Sequence, residues 1–468
     1  MKLRCKKVSK IKRQHSGIYA IILLVVTLIY ACEPTEEQFT SDPSVKLQFS
    51  TDSVVFDTLF SSIGSITKRF WVYNQSEKAV NISSIDIRED NGYSLIVNGI
   101  EGNSLANIRL LGEDSLQVLI SVTIDPQDEN LPFLVTNYID FITNGNEQFV
   151  NLVAWGQDAH FIPKGILDCD ISWTNERPYV LLDSVLIPES CKLTVQAGTR
   201  IYANTTSAII VAGTLEANGS YDERILISNS RLDEDYKNAP GQWPGIIFAE
   251  TSASNHINCT DIRNAVNGIW LGTPDDDLDY DLTLSNSKIE NMSGVGLLAF
   301  TSDLYAYNTL INNCGQHLIG NFAGGNYRYE HCTFSNLSNE LFDEGPGVVI
   351  ADNFPVSDSE LLVDEVNLTI TNTIIWGGQS NELILSNDGN QNFELAITNN
   401  IIRTSNNSFE ASNILNEDPK FINPSEYDFS LDTLSIAKDN GILLEIRSDI
   451  QGNNRDDNPD IGAYERIE

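Results

Sequence analysis

The sequence predicts an all-β chain in two parts, an antiparallel sandwich followed by a stack of parallel coils. Three observations carry this reading. Between Val45 and about Ala159 apolar and polar residues alternate, as in Leu116-Val118-Ile120-Val122-Ile124, the period of a strand with one buried face. Turn signals punctuate these runs at Asn74-Gln75, Asn91-Gly92, Asn98-Gly99 and Asn144-Gly145, and no helical stretch lies between them. From about Cys191 the pattern changes to short apolar runs that recur at one interval, as in solenoids.

Ahead of both parts comes a basic segment (Lys2, Arg4, Lys6, Lys7, Lys10, Lys12, Arg13) and the 14-residue apolar stretch Ile18 to Ala31. A charged lead, a short apolar run and a small residue before Cys32 describe a secretory signal, too short for a comfortable membrane span. Ile29-Tyr30-Ala31-Cys32 resembles a bacterial lipobox. That resemblance implies a lipoprotein signal peptide over 1–31, a lipid on Cys32 and a membrane attachment through it; the alternative is an ordinary cleaved signal. Residues 32–44, with Glu33, Glu36 and Glu37, read as an acidic tether. The tract resembles the surface-export signal of Bacteroidetes lipoproteins, which implies an outer-membrane lipoprotein exposed at the cell surface; a plain solvated linker is the other reading.

Composition excludes some functions. The whole chain has net charge −36, and removing 1–31 leaves 22 basic against 65 acidic residues, a net charge of −43. Such a surface repels phosphate backbones, so no nucleic acid is expected as partner. An anionic polymer needs a bridging cation. Hydrophobic residues at 41% supply packed cores, so the acidity is not that of a disordered tail. Beyond Cys5 and Cys32 the cysteines are Cys169, Cys191, Cys259, Cys314 and Cys332, without zinc-like spacing. Their odd number leaves at least one unpaired within the monomer; small buried hydrophobes are expected, with a Cys169–Cys191 bridge left open.

Residues 45–159 form the sandwich. Its closing pieces, Phe141-Ile142-Thr143-Asn144-Gly145 and Leu152-Val153-Ala154-Trp155-Gly156, resemble the immunoglobulin-like modules related to the ASPM/SPD-2/Hydin family. The resemblance implies a module that positions or binds rather than catalyses.

Residues 160–468 form the coils. Six segments align: 259–264, 286–291, 308–313, 331–336, 372–376 and 399–403. Their fourth position is always apolar (Ile262, Ile289, Ile311, Phe334, Ile375, Ile402), at steps of 27, 22, 23, 41 and 27 residues. One coil cannot bury its inward side chains, but stacked coils bury them against each other. These six therefore form one core column, and the step of 41 holds an insertion or an extra coil near Glu340–Glu360. The first position is Asn at Asn286, Asn308, Asn372 and Asn399, where a residue tolerant of left-handed backbone turns the chain and bonds its own kind one coil away. This asparagine ladder is structural. The pieces Val195-Gln196-Ala197-Gly198-Thr199, Val211-Ala212-Gly213-Thr214-Leu215 and Gly241-Gln242-Trp243-Pro244-Gly245 resemble the first coils of right-handed parallel β-helix repeat proteins. Asp418-Pro419-Lys420-Phe421, Asp428-Phe429-Ser430-Leu431, Asp439-Asn440-Gly441 and Asp460-Ile461-Gly462-Ala463-Tyr464 resemble the closing coils of Bacteroidetes β-helix lipoproteins, a capping segment over about 415–468. The fold class is thus an immunoglobulin-like β-sandwich followed by a right-handed parallel β-helix.

The chemistry is sparse. Asp275, Asp276, Asp277, Asp279 and Asp281 form a weak calcium candidate, with Arg263 and Lys288 on flanking coils as the base a lyase wants. Five close like charges gain most by hydration, so all five are expected on a solvent-facing loop. The acids on the stacked faces (Asp261, Glu290, Glu330, Glu394) lack the paired spacing of an inverting hydrolase, no histidine falls in triad or metal spacing, and no catalytic residue is assigned. Trp243, Trp270, Tyr305, Tyr307, Tyr327, Tyr329 and Trp376 are either a sugar-stacking platform or core packing. The expected function is a non-catalytic binding or structural surface protein with glycans or cell-surface polymers as partner and no cofactor. A polysaccharide lyase or glycoside hydrolase working in a groove of the β-helix is the alternative, and oligomeric state is open.

Overall fold

The computed structural model describes residues 37–273, 279–337, 345–357 and 359–467. Cys32 and Asp275–Asp277 lie outside them. Among the described residues the only helical pieces are two 3-10 turns, Glu234–Tyr236 and Pro424–Glu426, so the chain is all-β. It divides into two compact units: Met1–Val55, Gly64–Thr123 and Thr136–Val153; and Phe56–Ile63, Ile124–Val135 and Ala154–Glu468. The pieces of the two units interleave along the sequence between Val55 and Ala154. Asp158 shows why, since its buried carboxylate accepts the backbone N–H of Gln127 at 3.1 Å and of Glu129 at 2.9 Å, and Ser61 N–H donates to the Gln157 carbonyl at 3.0 Å. These bonds tie three sequence-distant pieces of the second unit together.

The sandwich strands form two antiparallel five-stranded sheets. One runs in the order Gln48–Phe49, Lys68–Tyr73, Ser115–Val122, Tyr93–Val97, Ile100–Glu101; the other Ser53–Phe60, Asn146–Gln157, Phe133–Thr143, Val80–Ile87, Ser104–Leu110. Leu116, Val118, Ile120 and Val122 all point inward and are buried, as a period of two requires. Asn98-Gly99 and Asn144-Gly145 make two-residue hairpin turns with φ of 49° and 85°, and 53° and 76°. Positive φ at both positions is what a type I′ turn demands, and Asn-Gly meets it at least cost.

In the second unit every rung of three long ladders is parallel. The first face stacks eleven strands from His160–Ile162 to Ile414–Leu415. The second face runs from Gly165–Ile166 to Leu383–Ser386 and the third from Ile171–Trp173 to Phe393–Thr398. Strands Leu297–Tyr307 and Ile319–Glu330 run on through the corner between second and third faces, where their register shifts between Phe300 and Ser302 and Thr301 and Ala323 take φ of 43° and 59°. This is a three-faced parallel β-helix. On its first face Ile262, Ile289, Ile311, Phe334, Ile375 and Ile402 sit in direct register, each paired with the next, and none is more than 1% exposed.

The step of 41 residues is an insertion and not an extra coil, because Thr333 pairs directly with Ile374. It carries an antiparallel hairpin, Asn353–Ser357 with Glu360–Val363. Cys169 and Cys191 are disulfide-bonded and close the first two coils, while Cys259, Cys314 and Cys332 are free and buried.

The C-terminal segment departs from the closing coils its motifs resemble. After Ile414–Leu415 it adds no strand to the stack. It runs back along the outside of the first face instead. Phe429, Ile450, Ala463 and Tyr464 pack with Leu310, and Leu431, Ala437 and Ile461 with Ile374, Trp376 and Ile401. The physical reason is that the first face carries apolar side chains outward at Leu310, Ile374, Trp376 and Ile401 as well as inward, so these coils must be covered from outside as well.

Candidate functional site

The asparagine positions join the stack to its strap. Asn286, Asn308, Asn372 and Asn399 all take left-handed backbone, with φ from 47° to 57°. Asn308 Nδ2 donates to Asn286 Oδ1 at 3.0 Å and Asn286 Nδ2 to Asn258 Oδ1 at 2.8 Å; one coil further His331 replaces Asn and its Nε2 lies 3.0 Å from Asn372 Nδ2. At Asn308 and Asn372 the remaining polar atoms hold the C-terminal strap. Asn308 donates to the Ser448 carbonyl and accepts from Arg455, and Asn372 exchanges bonds with the Ile442 carbonyl and N–H at 2.7 and 2.9 Å. Arg455 is wholly buried beside Glu465 at 3.0 Å. Burial and the nearby Arg455 charge hold His331 well below the ordinary histidine range. A second ladder, unread in the sequence, sits at the other end of the same strands: Asn264 bonds Asn229, Asn291 bonds Asn264, and Asn313 bonds Asn291. Its signal was the sixth position of the same alignment, where Asn264, Asn291, Asn313 and Asn336 recur.

The acidic run does not behave as one solvated loop. Asp279 is exposed, but Asp281 is only 2% exposed, and its carboxylate accepts the Asp303 backbone N–H at 2.9 Å. Asp281 leads into strand Leu282–Ser285, so sheet register, not hydration, decides where it points. Among the described residues no three His, Cys, Asp or Glu side chains converge to hold a metal. The proposed base Arg263 is engaged by Glu290 at 3.1 Å and Asp261 at 3.6 Å. An open cleft of about 280 Å3 on the corner of the third face is lined by Asp303, Asp364, Glu365 and Glu394, with no basic residue.

The aromatics separate into core and surface. Trp243, Tyr327 and Tyr329 are buried and pack the interior, and Trp376 is buried on the outside of the first face beneath the C-terminal segment. On the third face Tyr280, Tyr305 and Tyr307 follow one another at 5.4 and 5.1 Å between ring centroids, half-buried. Tyr305 donates its hydroxyl to Glu330 at 2.7 Å, Arg328 lies over its ring, and burial together with Glu330 pushes its pKa up. Desolvation is the largest effect on Arg328 and works against its charge, yet the bond to Glu330 at 2.6 Å, the Glu330 charge and the nearby Tyr305 and Tyr280 together raise its pKa. Ion-paired and protonated, this arginine is no general base.

The outside of the second face is different in kind. Ile166, Leu186, Ile210, Ile247, Trp270, Leu298, Gly320, Val349 and Ile384 pair in one unbroken column over nine coils without a charged side chain. Ile166, Trp270 and Ile384 are exposed at 71, 41 and 37%. Beside the column Phe300 lies 6.1 Å from Trp270 and 5.9 Å from Phe322, a ladder of rings along the helix axis. The sequence carried a signal for it. Triplets such as Ile209-Ile210-Val211, Ile246-Ile247-Phe248 and Ile269-Trp270-Leu271 cannot all face inward on a strand, so the middle residue must point out.

No family model matches this sequence, and no curated protein matches it. Among solved structures it is similar to a protein of unknown function from Porphyromonas gingivalis, at 12% identity over 26% of this chain and 49% of that one, with a TM-score of 0.19. It also matches the ASH/PapD-like domain of human CEP192 (12% identity, 27% of this chain, 94% of that one, TM-score 0.18) and a family 123 glycoside hydrolase from Clostridium perfringens (6%, 24% and 26%, TM-score 0.17). The chain thus spans about half of the first of these and a quarter of the last. At such TM-scores the likenesses carry no argument about fold or function.

Proposed function

We infer that this is a lipid-anchored protein of the cell envelope, attached to the outer membrane through Cys32, which binds without catalysis and lays a neutral polymer such as a glycan along the second face of its β-helix. The observation that carries the reading is the uncharged apolar column with its exposed Trp270 and adjoining rings. An apolar column that is exposed at Ile166, Trp270 and Ile384 and half-buried at most positions between them marks a contact surface, and aromatic rings offer flat faces to the apolar side of a sugar. The disulfide between Cys169 and Cys191 supports an oxidising compartment. The ion-paired Arg263 and Arg328 speak against a groove with a free base.

Retention on a panel of insoluble and soluble neutral polysaccharides tests the binding, with release of reducing or unsaturated ends measured in parallel. Trp270→Ala and Phe300→Ala should weaken retention. Retention unchanged in both variants, or new chain ends appearing with the wild type, overturns the reading. Cys32→Ser should move the protein from the membrane fraction to the soluble one; a variant that stays membrane-bound after a salt wash refutes the anchor.

A further inference from the structure

The hairpin inserted between second and third faces combines two properties that oppose each other on an ordinary surface. It is apolar: Val356, Leu361, Leu362 and Val363 are exposed at 52, 51, 44 and 42%. It also stands in the most one-sided charge environment of the coils. Between Arg328 and Arg403 the chain has twelve Asp and Glu and no Lys or Arg, and Glu360, Asp364 and Glu365 on and beside the hairpin are exposed.

Its strands pair only with each other, in the register Asn353 with Val363, Phe354 with Leu362 and Pro355 with Leu361. A hairpin of two short strands is marginal alone. Phe354 fastens this one to the second face, its ring 4.9 Å from Phe300 and 5.5 Å from Phe322. In a two-stranded sheet every second N–H and C=O of each strand points away from its partner, and natural proteins blunt such edges with charge or proline. Here Pro355 blunts the Asn353–Ser357 edge. The Glu360–Val363 edge has no proline, and after the single charge of Glu360 it presents three consecutive exposed apolar residues.

We propose that the Glu360–Val363 edge docks an extended, basic segment of a partner polypeptide, which adds as a third strand and sets its apolar side chains against Leu361 and Val363 and its Lys or Arg against Glu360 and Asp364. Charge complementarity selects this occupant. A second copy of the chain would place like charges opposite each other across the new ladder, which destabilises strand pairing. An anionic lipid surface meets the same repulsion. A basic strand gains backbone bonds, apolar contact and charge pairing together.

The test uses the purified chain and a blocked decapeptide of alternating Lys and Val, with alternating Glu and Val as control, followed by fluorescence anisotropy and backbone hydrogen exchange. The Lys-Val peptide binds, the Glu-Val peptide does not, and exchange slows at residues 360–363. Leu361→Ser with Val363→Ser weakens binding about tenfold, or roughly 1.4 kcal/mol. Glu360→Lys, at an exposed position, weakens it as well. Equal binding to all variants, with protection spread over the chain, would show general attraction to an acidic protein and overturn the proposal. So would a dimer that the Leu361→Ser, Val363→Ser variant dissociates, or phosphatidylglycerol vesicle binding that the same variant abolishes.

Discussion

The first and second faces of the β-helix are built from the same kind of strand and carry the same liability, apolar side chains on the outside. On the first face Leu310, Ile374 and Ile401 point outward, yet each is fully buried, because residues 416–467 return along that face and cover it. On the second face the outward column from Ile166 to Ile384 has no such cover from the described residues, and Trp270 stands 41% exposed. The difference teaches how to read outward apolar residues in a solenoid. Where the chain supplies a strap they belong to the core; where it does not they are a contact surface.

The comparison breaks most visibly at the strap's buried ion pair. Arg455 is held by Glu465, by the Gly462 carbonyl and by Asn308, all out of water. Arg455→Leu leaves Glu465 buried without its partner, which should cost about 3–5 kcal/mol. In urea unfolding the strap should also open at lower denaturant than the coils. If the midpoint is unchanged, the strap is not held this way. The double variant with Glu465→Leu should recover part of the loss, since the uncompensated charge has gone with it.

A pair of substitutions one residue apart sharpens the distinction between inside and outside. Ile311 faces the interior column and Leu310 faces the strap, and both are at most 1% exposed. If the strap makes a second core, Ile311→Ala and Leu310→Ala should each cost about 2–5 kcal/mol by leaving a cavity. A Leu310→Ala cost well below that of Ile311→Ala would mean that the strap only rests on the sheet.

These contrasts also show what the sequence made legible. The inward column was readable because a residue that must be apolar in every coil leaves a repeat, and Ile262 to Ile402 did so through steps of unequal length. Asn286, Asn308 and Asn372 were readable as a ladder for the same reason, but the second task of Asn308 and Asn372 was not. The strap that they hold is aperiodic, and motifs such as Asp460-Ile461-Gly462-Ala463-Tyr464 do not say which surface they will cover. Asp281 was misread because five neighbouring acids were treated as one electrostatic unit, whereas strand register separates Asp281 from Asp279. The Trp270 column was written in the apolar triplets and went unread, because attention to inward positions hides the residue between them.

A smaller effect lies where the ladder changes residue. His331 occupies a position that Asn fills in the neighbouring coils, with φ of 50°, buried near Arg455 and Asp460. Its pKa in the folded chain is depressed by burial first and by Arg455 second. Below the ordinary histidine value of about 6.5 the unfolded chain therefore takes up a proton that the folded chain refuses, so stability falls as pH falls, by up to about 1.4 kcal/mol per pH unit. Burial raises Asp460 and Glu465, which act with the opposite sign, losing stability as pH rises through their titration. Comparison with His331→Asn isolates the histidine. Asn keeps the left-handed backbone and accepts the bond from Asn372, as Asn286 does from Asn308. The variant should lose the acid sensitivity below about pH 6.5; an unchanged pH profile would refute the assignment.

The smallest effect on stability decides most about the second face. Trp270 is 41% exposed, its strand neighbours Ile269 and Leu271 supply the core contact, and no described segment covers its ring. Trp270→Ser should therefore change stability by no more than about 0.5 kcal/mol, the range of surface substitutions away from special features. The same change on the first face, at Trp376, removes a ring that is 9% exposed and packs in the cluster beneath the strap. Trp376→Ser should cost several-fold more. Thermal midpoints of the two variants, measured together, set the faces against each other on one side-chain type. A Trp270→Ser loss as large as that of Trp376→Ser would mean that the second face is already covered in the isolated chain, and a surface so covered has no room for a polymer.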